Sequence, residues 1–91
     1  MAIFAVMSLG ADPSVLENKI KELFPNDYYA LSSDKWLVAS AGATATDMAQ
    51  RLGMVKGQKT LGIIVTFGGY NGLAPADIWE WIKTKSTNSS A

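Results

Sequence analysis

The sequence predicts a small α+β domain, and three observations lead to this class. Four short runs of β-prone residues alternate with helical patterns along the 91 residues of the chain. The second and third runs, 28–31 and 36–40, are separated only by the polar turn 32–35, which has the length of a hairpin connection. With 48% hydrophobic and 18% charged residues, the composition is that of one globular domain with a single core.

The first strand and the first helix are predicted from residues 2–25. The run 2–9 is apolar without polar alternation, as in a strand buried on both faces, and Gly10 ends it. A helix then starts at Asp12-Pro13, because the carboxylate caps free N–H groups and proline is tolerated in a first turn. Pro25 ends this helix. Its apolar stripe consists of Val15, Leu16, Ile20, Leu23 and Phe24.

The second helix follows the hairpin, and either Thr44 or Thr46 can cap it. If Thr44 is the cap, Asp47 lies three residues later, which is the spacing of a capping box with a carboxylate. Gly53 is placed to end the helix in a left-handed conformation. The apolar face of this helix consists of Ala45, Met48, Ala49 and Leu52.

The last strand and a third helix are predicted in the C-terminal third. The strand covers 61–67 and is followed by the glycine-rich segment 68–72, after which a helix opens at Pro75. We expect one domain over 1–85 and a short, disordered polar tail over 86–91. The apolar residues of the third helix are Ile78, Trp79, Trp81 and Ile82.

The resulting element order, βαββαβ followed by a helix, is that of the ferredoxin-like split motif with an antiparallel sheet and an added C-terminal helix. Because neither the first nor the last strand shows a polar face, the sheet face opposite the first two helices requires a cover. The third helix, a second subunit or both could supply it. A homo-oligomer is therefore predicted, although a domain that covers its own core with its tryptophans is the simpler alternative. The candidate interface anchors are Phe4, Val6, Phe67, Trp79 and Trp81.

Composition excludes several chemistries. The chain has no Cys and no His, which removes disulfides, thiolate and imidazole metal sites, and the usual nucleophilic triads. Eight Lys and Arg balance eight Asp and Glu, so tight nucleic-acid binding through counterion release is not expected. The longest uncharged stretch, 60–76, contains several glycines and is shorter than the ~20 residues of a membrane helix. We expect a cytoplasmic protein that needs no cofactor.

Three sets of residues are candidates for chemistry, each with a simpler structural alternative. Two Asp12 carboxylates across a dimer axis could hold a hard divalent metal, whereas the alternative is an N-cap. Gly68, Gly69 and Gly72 join a strand to a helix and could hold an anion, whereas the alternative is a flexible turn. Aromatic residues on or near strands could stack nucleobases, whereas the alternative is packing. These aromatic residues are Tyr28, Tyr29, Trp36 and Tyr70.

Several short motifs resemble a known group of small bacterial proteins described as SinR-like. The motifs are Trp36-Leu37-Val38, Thr44-Ala45, Leu52-Gly53 and Trp79-Glu80-Trp81. This group is in turn similar to the small CRISPR adaptation nuclease subunit and the virulence-associated protein D toxins. The resemblance implies a ferredoxin-like fold and dimerisation through the sheets. In the nuclease relatives an Asp ends the first strand, whereas here the nearest carboxylate, that of Asp12, falls at the helix cap.

Two functional hypotheses follow from the sequence. The first is a non-enzymatic, homo-oligomeric interaction module of the bacterial cytoplasm. The second is a metal-dependent ribonuclease or toxin related to the CRISPR subunit, with Asp12 as the metal ligand.

Overall fold

The computed structural model describes residues 2–10, 12–56, 60–66, 72 and 76–89, with side chains up to residue 85. Seven elements lie in these residues, and they confirm the α+β class. The elements are β1 (Ala2–Ser8), α1 (Ser14–Leu23), β2 (Tyr28–Ser32), β3 (Lys35–Ser40), α2 (Ala45–Arg51), β4 (Gly62–Thr66) and α3 (Ala76–Ser89).

The four strands form one antiparallel sheet in the order β2-β3-β1-β4. The two most apolar strands, β1 and β3, are therefore central, and their register places Phe4 opposite Val38 and Val6 opposite Trp36. On the other side of β1, Val6 lies opposite Ile64 of β4. Since side chains alternate across a strand, even-numbered residues of β1, β3 and β4 share one sheet face and odd-numbered residues share the other.

The even-numbered face packs against α1 and α2 and forms the larger core. Phe4, Val6, Trp36 and Val38 are fully buried there. The helices bury apolar residues spaced one turn apart, so each presents a stripe to the sheet. These residues are Leu16 and Ile20 of α1, Phe24 directly after it, Met48 of α2 and Leu52 directly after it.

The odd-numbered face packs against α3 and forms a smaller core. Ile82 is buried against Ile3, Leu37 and Ala39, and α3 covers the central strands at this end of the sheet. The third helix of the same chain therefore covers the part of the odd-numbered face that Ile3, Leu37 and Ala39 form. The helix contacts β1, and its aromatic residues lie beside Tyr29 of β2.

The ends of α2 show the local interactions that the sequence predicts. The Thr44 hydroxyl accepts a hydrogen bond from the Asp47 N–H at 3.1 Å, and the Asp47 carboxylate accepts one from the Thr44 N–H at 3.0 Å. This reciprocal pair is a capping box, so Thr44 and not Thr46 is the cap. Gly53 has a φ of +80°, the left-handed conformation expected after the helix.

Two boundaries in the C-terminal third can be compared with the sequence analysis. The structure assigns residues up to Ser89 to α3, and the disordered tail over 86–91 stays a prediction. The segment after Lys85 contains neither Pro nor Gly, so nothing in it breaks a helix that has already formed. Pro75, the predicted start of α3, lies outside the described residues. No helix in the described part of the chain is both long and apolar enough to cross a membrane.

Candidate interaction surface

A group of exposed aliphatic side chains lies on the odd-numbered sheet face beside β4. Leu9 and Leu61 are 62% and 60% exposed, and Ile63 and Val65 are 46% and 42% exposed. The register pairs Met7 with Ile63 and Ala5 with Val65, and the Leu9 N–H donates to the Leu61 carbonyl at 2.9 Å. Leu61, Ile63 and Val65 are therefore adjacent along one face, with Leu9 beside them. We call Leu9, Leu61, Ile63 and Val65 the β4 patch.

The position of α3 explains why the β4 patch is exposed. The buried contacts of α3 are with Ile3, Leu37 and Ala39, which lie on β1 and β3. Two polar contacts further hold α3 toward the β2 side: the Tyr29 hydroxyl donates to the Asp77 carboxylate, and Lys85 bonds to Asp27. Consequently, α3 covers the half of this face that lies away from β4.

The outer side of β4, away from β1, forms one edge of the sheet that the structure describes. In an antiparallel ladder, hydrogen-bonded and non-hydrogen-bonded residue pairs alternate. Because Leu61 bonds to Leu9, the odd-numbered residues of β4 direct their N–H and C=O groups toward β1. Gly62, Ile64 and Thr66 direct theirs outward. Among the described residues, no strand pairs with this edge.

The opposite edge of the sheet, β2, is protected in two ways. A register shift between Ala30 and Ser32 interrupts the ladder with β3, and such bulges discourage pairing with another chain. Charged groups flank the strand: Asp34 pairs with Lys35 at 3.1 Å, and Asp27 pairs with Lys85 at 2.7 Å. The two edges of the sheet therefore differ, and β4 is the one suited to strand addition.

The start of β4 is constrained to glycine. A Cβ atom on Gly62 would lie 2.6 Å from the Met54 Cε and 2.7 Å from the Met7 carbonyl oxygen. The side chain of Met54 thus crosses closely over the strand, and the backbone contact with Met7 leaves no room to shift. A side chain at position 62 would therefore require β1 and β4 to move apart.

Asp12 borders a cleft of about 210 Å³ at the end of β1, where Ser8, Gly10, Thr60 and Leu61 also lie. Its Oδ1 accepts hydrogen bonds from the Ser14 N–H at 3.0 Å and the Ser14 hydroxyl at 2.6 Å. These bonds lower the pKa of Asp12 below its usual value of 3.8. The N-cap residue of α1 is Pro13, so the prediction that Asp12 is the N-cap needs correction: the carboxylate lies one residue earlier and accepts the N–H of Ser14, the first residue of the helix. Among the residues that the structure describes, no group of three or more acidic side chains could hold a metal ion.

A second, more open cleft of about 380 Å³ lies between the end of β3 and α2, lined by Ser40, Gly42, Asp47, Gln50 and Arg51 among others. Its charged groups already have structural partners. Asp47 belongs to the capping box, and the Arg51 guanidinium lies 4.8 Å above the centre of the Phe24 ring. Both charged side chains that line the cleft, Asp47 and Arg51, thus already make contacts within the fold.

The structure separates the predicted interface anchors into three groups. Phe4 and Val6 are fully buried under α1 and α2, so their prediction as interface anchors needs correction: these side chains have no surface for a partner. Trp79 and Trp81 are half-buried on α3, and the Trp81 ring lies 6.1 Å from the Tyr29 ring. Phe67 lies outside the described residues.

Most of the predicted anion site lies outside the residues that the structure describes. Gly68 and Gly69 lie outside the described residues, and Gly72, with a φ of +151°, is exposed and adopts a backbone conformation that favours glycine. Of the aromatic residues considered for base stacking, Trp36 is fully buried and Tyr28 packs on the larger core. Tyr29 packs on the smaller core, so these three are packing residues, and Tyr70 lies outside the described residues.

Sequence reasoning did not name the β4 patch as a site. The alternation of Ile63 and Val65 on an uncharged strand was a usable signal, because an edge strand with an exposed apolar face is uncommon in a monomer. The missing information was the lateral position of α3.

Comparison of the chain with models of known protein families, with curated proteins and with solved structures found no significant match. The candidate function consequently rests on the geometry described above.

Proposed function

We propose that this protein is a non-enzymatic interaction module that assembles with copies of itself through the β4 side of its sheet. The observation that carries the proposal is the β4 patch, where four large aliphatic side chains are exposed beside a strand edge. Contiguous exposed apolar patches on small proteins mark interaction sites.

A second copy suits this surface because the surface carries no charge. From Thr60 to Ala76 the sequence has no Asp, Glu, Lys or Arg, so a two-fold axis near β4 brings no like charges from this segment together. A two-fold interface must be complementary to itself, and an uncharged aliphatic surface meets this condition.

The energetic contribution of the patch is moderate. At about 25 cal/mol per Å² of apolar area, burying four partly exposed aliphatic side chains contributes roughly 1 kcal/mol each. Association costs about 4–15 kcal/mol in lost rigid-body freedom before any ordering of side chains. Complete burial of the patches of both copies, eight side chains in all, would contribute about 8 kcal/mol. This offsets only about half of the upper end of the range, so a stable oligomer needs further contacts from each copy.

The finer classification of the fold belongs to the same proposal. We infer a ferredoxin-like domain, supported by the strand order β2-β3-β1-β4 and by the packing of α1 and α2 on one face. The SinR-like resemblance stays a proposal on the motifs that carry it. The bacterial cytoplasmic location stays a prediction.

A metal-dependent nuclease is the second candidate, and one observation favours it. The exposed Asp12 carboxylate borders the cleft at the end of β1, where an oxygen ligand from each copy of a dimer could meet. The two hydrogen bonds from Ser14 count against it, because a metal must compete with them for Oδ1.

Light scattering during gel filtration, at tens of micromolar protein, tests the main proposal. We expect a mass of at least twice 9.7 kDa for the wild type. Ile63→Lys places a charge in the β4 patch and should shift the protein toward monomer. Leu31→Lys is the matched control, because Leu31 is 42% exposed and lies on the opposite edge strand. A wild-type protein that elutes as a 9.7 kDa monomer contradicts the proposal.

A further inference from the structure

We propose a mode of assembly, which rests on the proposed function. Two copies pair antiparallel through their β4 edges and form one continuous sheet, with a two-fold axis at Ile64. The occupant of the β4 edge is thus a second copy of this chain in one specific register.

The register is determined by which residues of β4 direct their backbone N–H and C=O groups outward. Gly62, Ile64 and Thr66 present outward N–H and C=O groups, and Ile64 is the middle residue of the strand. Pairing about Ile64 places each Ile64 opposite the partner's Ile64, and Gly62 opposite the partner's Thr66. Each of these is a hydrogen-bonded pair, so about six backbone hydrogen bonds cross the axis. Any other antiparallel register of these five residues leaves outward groups unpaired.

The same register joins the exposed side chains of the two copies. Ile63 lies opposite the partner's Val65, in a pair of the non-hydrogen-bonded type whose side chains approach most closely. Both residues lie on the odd-numbered face, so the two β4 patches become one apolar surface across the axis. The lateral contact between Ile63 and Val65 therefore forms in the same step as the backbone pairing, and the backbone hydrogen bonds add to the contacts of the patch.

The unequal edges limit the assembly to two copies. Once both β4 strands are paired, the ends of the joined sheet are two β2 strands. Each of these carries the bulge at Ala30–Ser32 and the flanking ion pairs of Asp27 and Asp34. Such edges resist strand addition, so the sheet does not extend further.

Cysteine pairs test the register directly, since the natural chain has no Cys. We expect coexpressed Ile63→Cys and Val65→Cys chains to form a disulfide-linked heterodimer under mild oxidation, because non-hydrogen-bonded partners lie within bridging distance. Either variant alone should crosslink several-fold less, because the two copies of one position are diagonal neighbours, about 7–8 Å apart. Leu61→Cys is the control on the same face: in this register its two copies lie about 20 Å apart and should stay unlinked.

A backbone variant tests the pairing without altering the patch. Thr66 is exposed, and its N–H points outward, so Thr66→Pro removes a donor needed only by the partner. We expect it to raise the dimer dissociation constant by roughly tenfold or more, since both copies lose a bond, whereas Thr66→Ala keeps the donor and the dimer. Circular dichroism establishes that the proline variant is folded; if it is not, the cysteine pairs decide.

The outcomes distinguish the two proposals. A monomeric wild type overturns both the proposed function and the β4 pairing. A dimer in which Ile63→Cys and Val65→Cys fail to link, or in which Leu61→Cys links equally fast, leaves the proposed function standing and overturns this register. A folded Thr66→Pro variant that dimerises as tightly as Thr66→Ala, or a wild type larger than a dimer, also overturns the closed β4 pairing.

Discussion

The Lys85 ammonium lies 2.7 Å from the Asp27 carboxylate and 3.1 Å from the Asn26 carbonyl oxygen, so one cation on α3 binds the loop that precedes β2. Both charged side chains are less than one third exposed, at 19% and 30%. This contact joins the last helix to a segment 58 residues earlier in the sequence and helps to hold α3 over the odd-numbered face.

Replacing Lys85 by methionine should weaken this attachment, because methionine retains an apolar stem of similar length but cannot donate to either oxygen. We expect a loss of about 1.5–3 kcal/mol in the free energy of unfolding, as for a hydrogen bond to a charged group. Urea denaturation followed by tryptophan fluorescence measures it. Lys19→Met is the control, since Lys19 is exposed on α1 and its replacement should change stability by less than about 0.5 kcal/mol. Equal effects of the two variants would contradict the role of Lys85.

The capping box makes Thr44 and Thr46 unequal despite their similar exposure. Thr44→Ala removes the hydroxyl that accepts from the Asp47 N–H and should cost about 1 kcal/mol. Thr46→Ala lies inside α2, where alanine is the better helix former, and should be neutral or slightly stabilising. Thermal unfolding of both variants checks this, and an equal loss at the two positions would contradict the assignment of the cap.

Acid should destabilise the protein through its capping and turn carboxylates. Hydrogen bonds from Ser14, Ser32 and Thr44 lower the pKa of Asp12, Asp34 and Asp47, respectively, below 3.8. A group with a lowered folded pKa contributes stability that is present above its unfolded pKa and is lost as the pH falls through the folded pKa. Stability should therefore decline as the pH falls below about 4.

Urea midpoints measured between pH 2 and pH 6 check this dependence. Asp47→Asn should flatten the decline, because asparagine does not titrate and still accepts a hydrogen bond. A slope that is the same in the variant and in the wild type would count against a contribution from Asp47.

At the alkaline end, the hydrogen bond from the Tyr29 hydroxyl to the Asp77 carboxylate raises the pKa of Tyr29 above 10.0. Its contribution to stability is present below the unfolded pKa and is lost as the pH rises through the folded value. Titration by phenolate absorbance should therefore show one of the three tyrosines shifting to lower pH in Asp77→Asn. Glu80→Gln, on an exposed position of the same helix, is the control and should leave the curve unchanged. An unchanged titration curve in Asp77→Asn would contradict the hydrogen bond between Tyr29 and Asp77.

The nuclease alternative yields a separate prediction. If Asp12 holds a catalytic metal, RNA or DNA should be cleaved in the presence of Mg²⁺ or Mn²⁺, and Asp12→Asn should abolish the cleavage. We expect no cleavage by either protein, because the Asp12 Oδ1 already accepts two hydrogen bonds from Ser14. Cleavage by the wild type that Asp12→Asn abolishes would instead favour the second candidate function.

Local features of the fold could be predicted from the sequence, because neighbouring residues determine them. The Thr44–Asp47 capping box depends on a spacing of three residues, and the left-handed Gly53 depends on its position after an apolar stripe. The α+β class and the antiparallel sheet followed from the same kind of pattern.

The candidate surface could not be predicted in the same way. A strand that is apolar on both faces does not indicate which cover lies on which face. For this reason the sequence predicts Phe4 and Val6 at an interface, although they lie in the core. The β4 patch is exposed because α3 lies away from β4. The Tyr29–Asp77 and Lys85–Asp27 contacts hold α3 there, and their partners are separated by 48 and 58 positions in the sequence. No local pattern encodes such pairs.

The distribution of the three tryptophans has a practical consequence. Trp36 is fully enclosed beneath α1 and α2, whereas Trp79 and Trp81 lie half-buried on α3. A small aqueous quencher such as acrylamide should reach the two outer indoles while sparing the inner one. The tryptophan fluorescence of the natural chain can therefore report two separate events: the detachment of α3 from the sheet and the unfolding of the larger core.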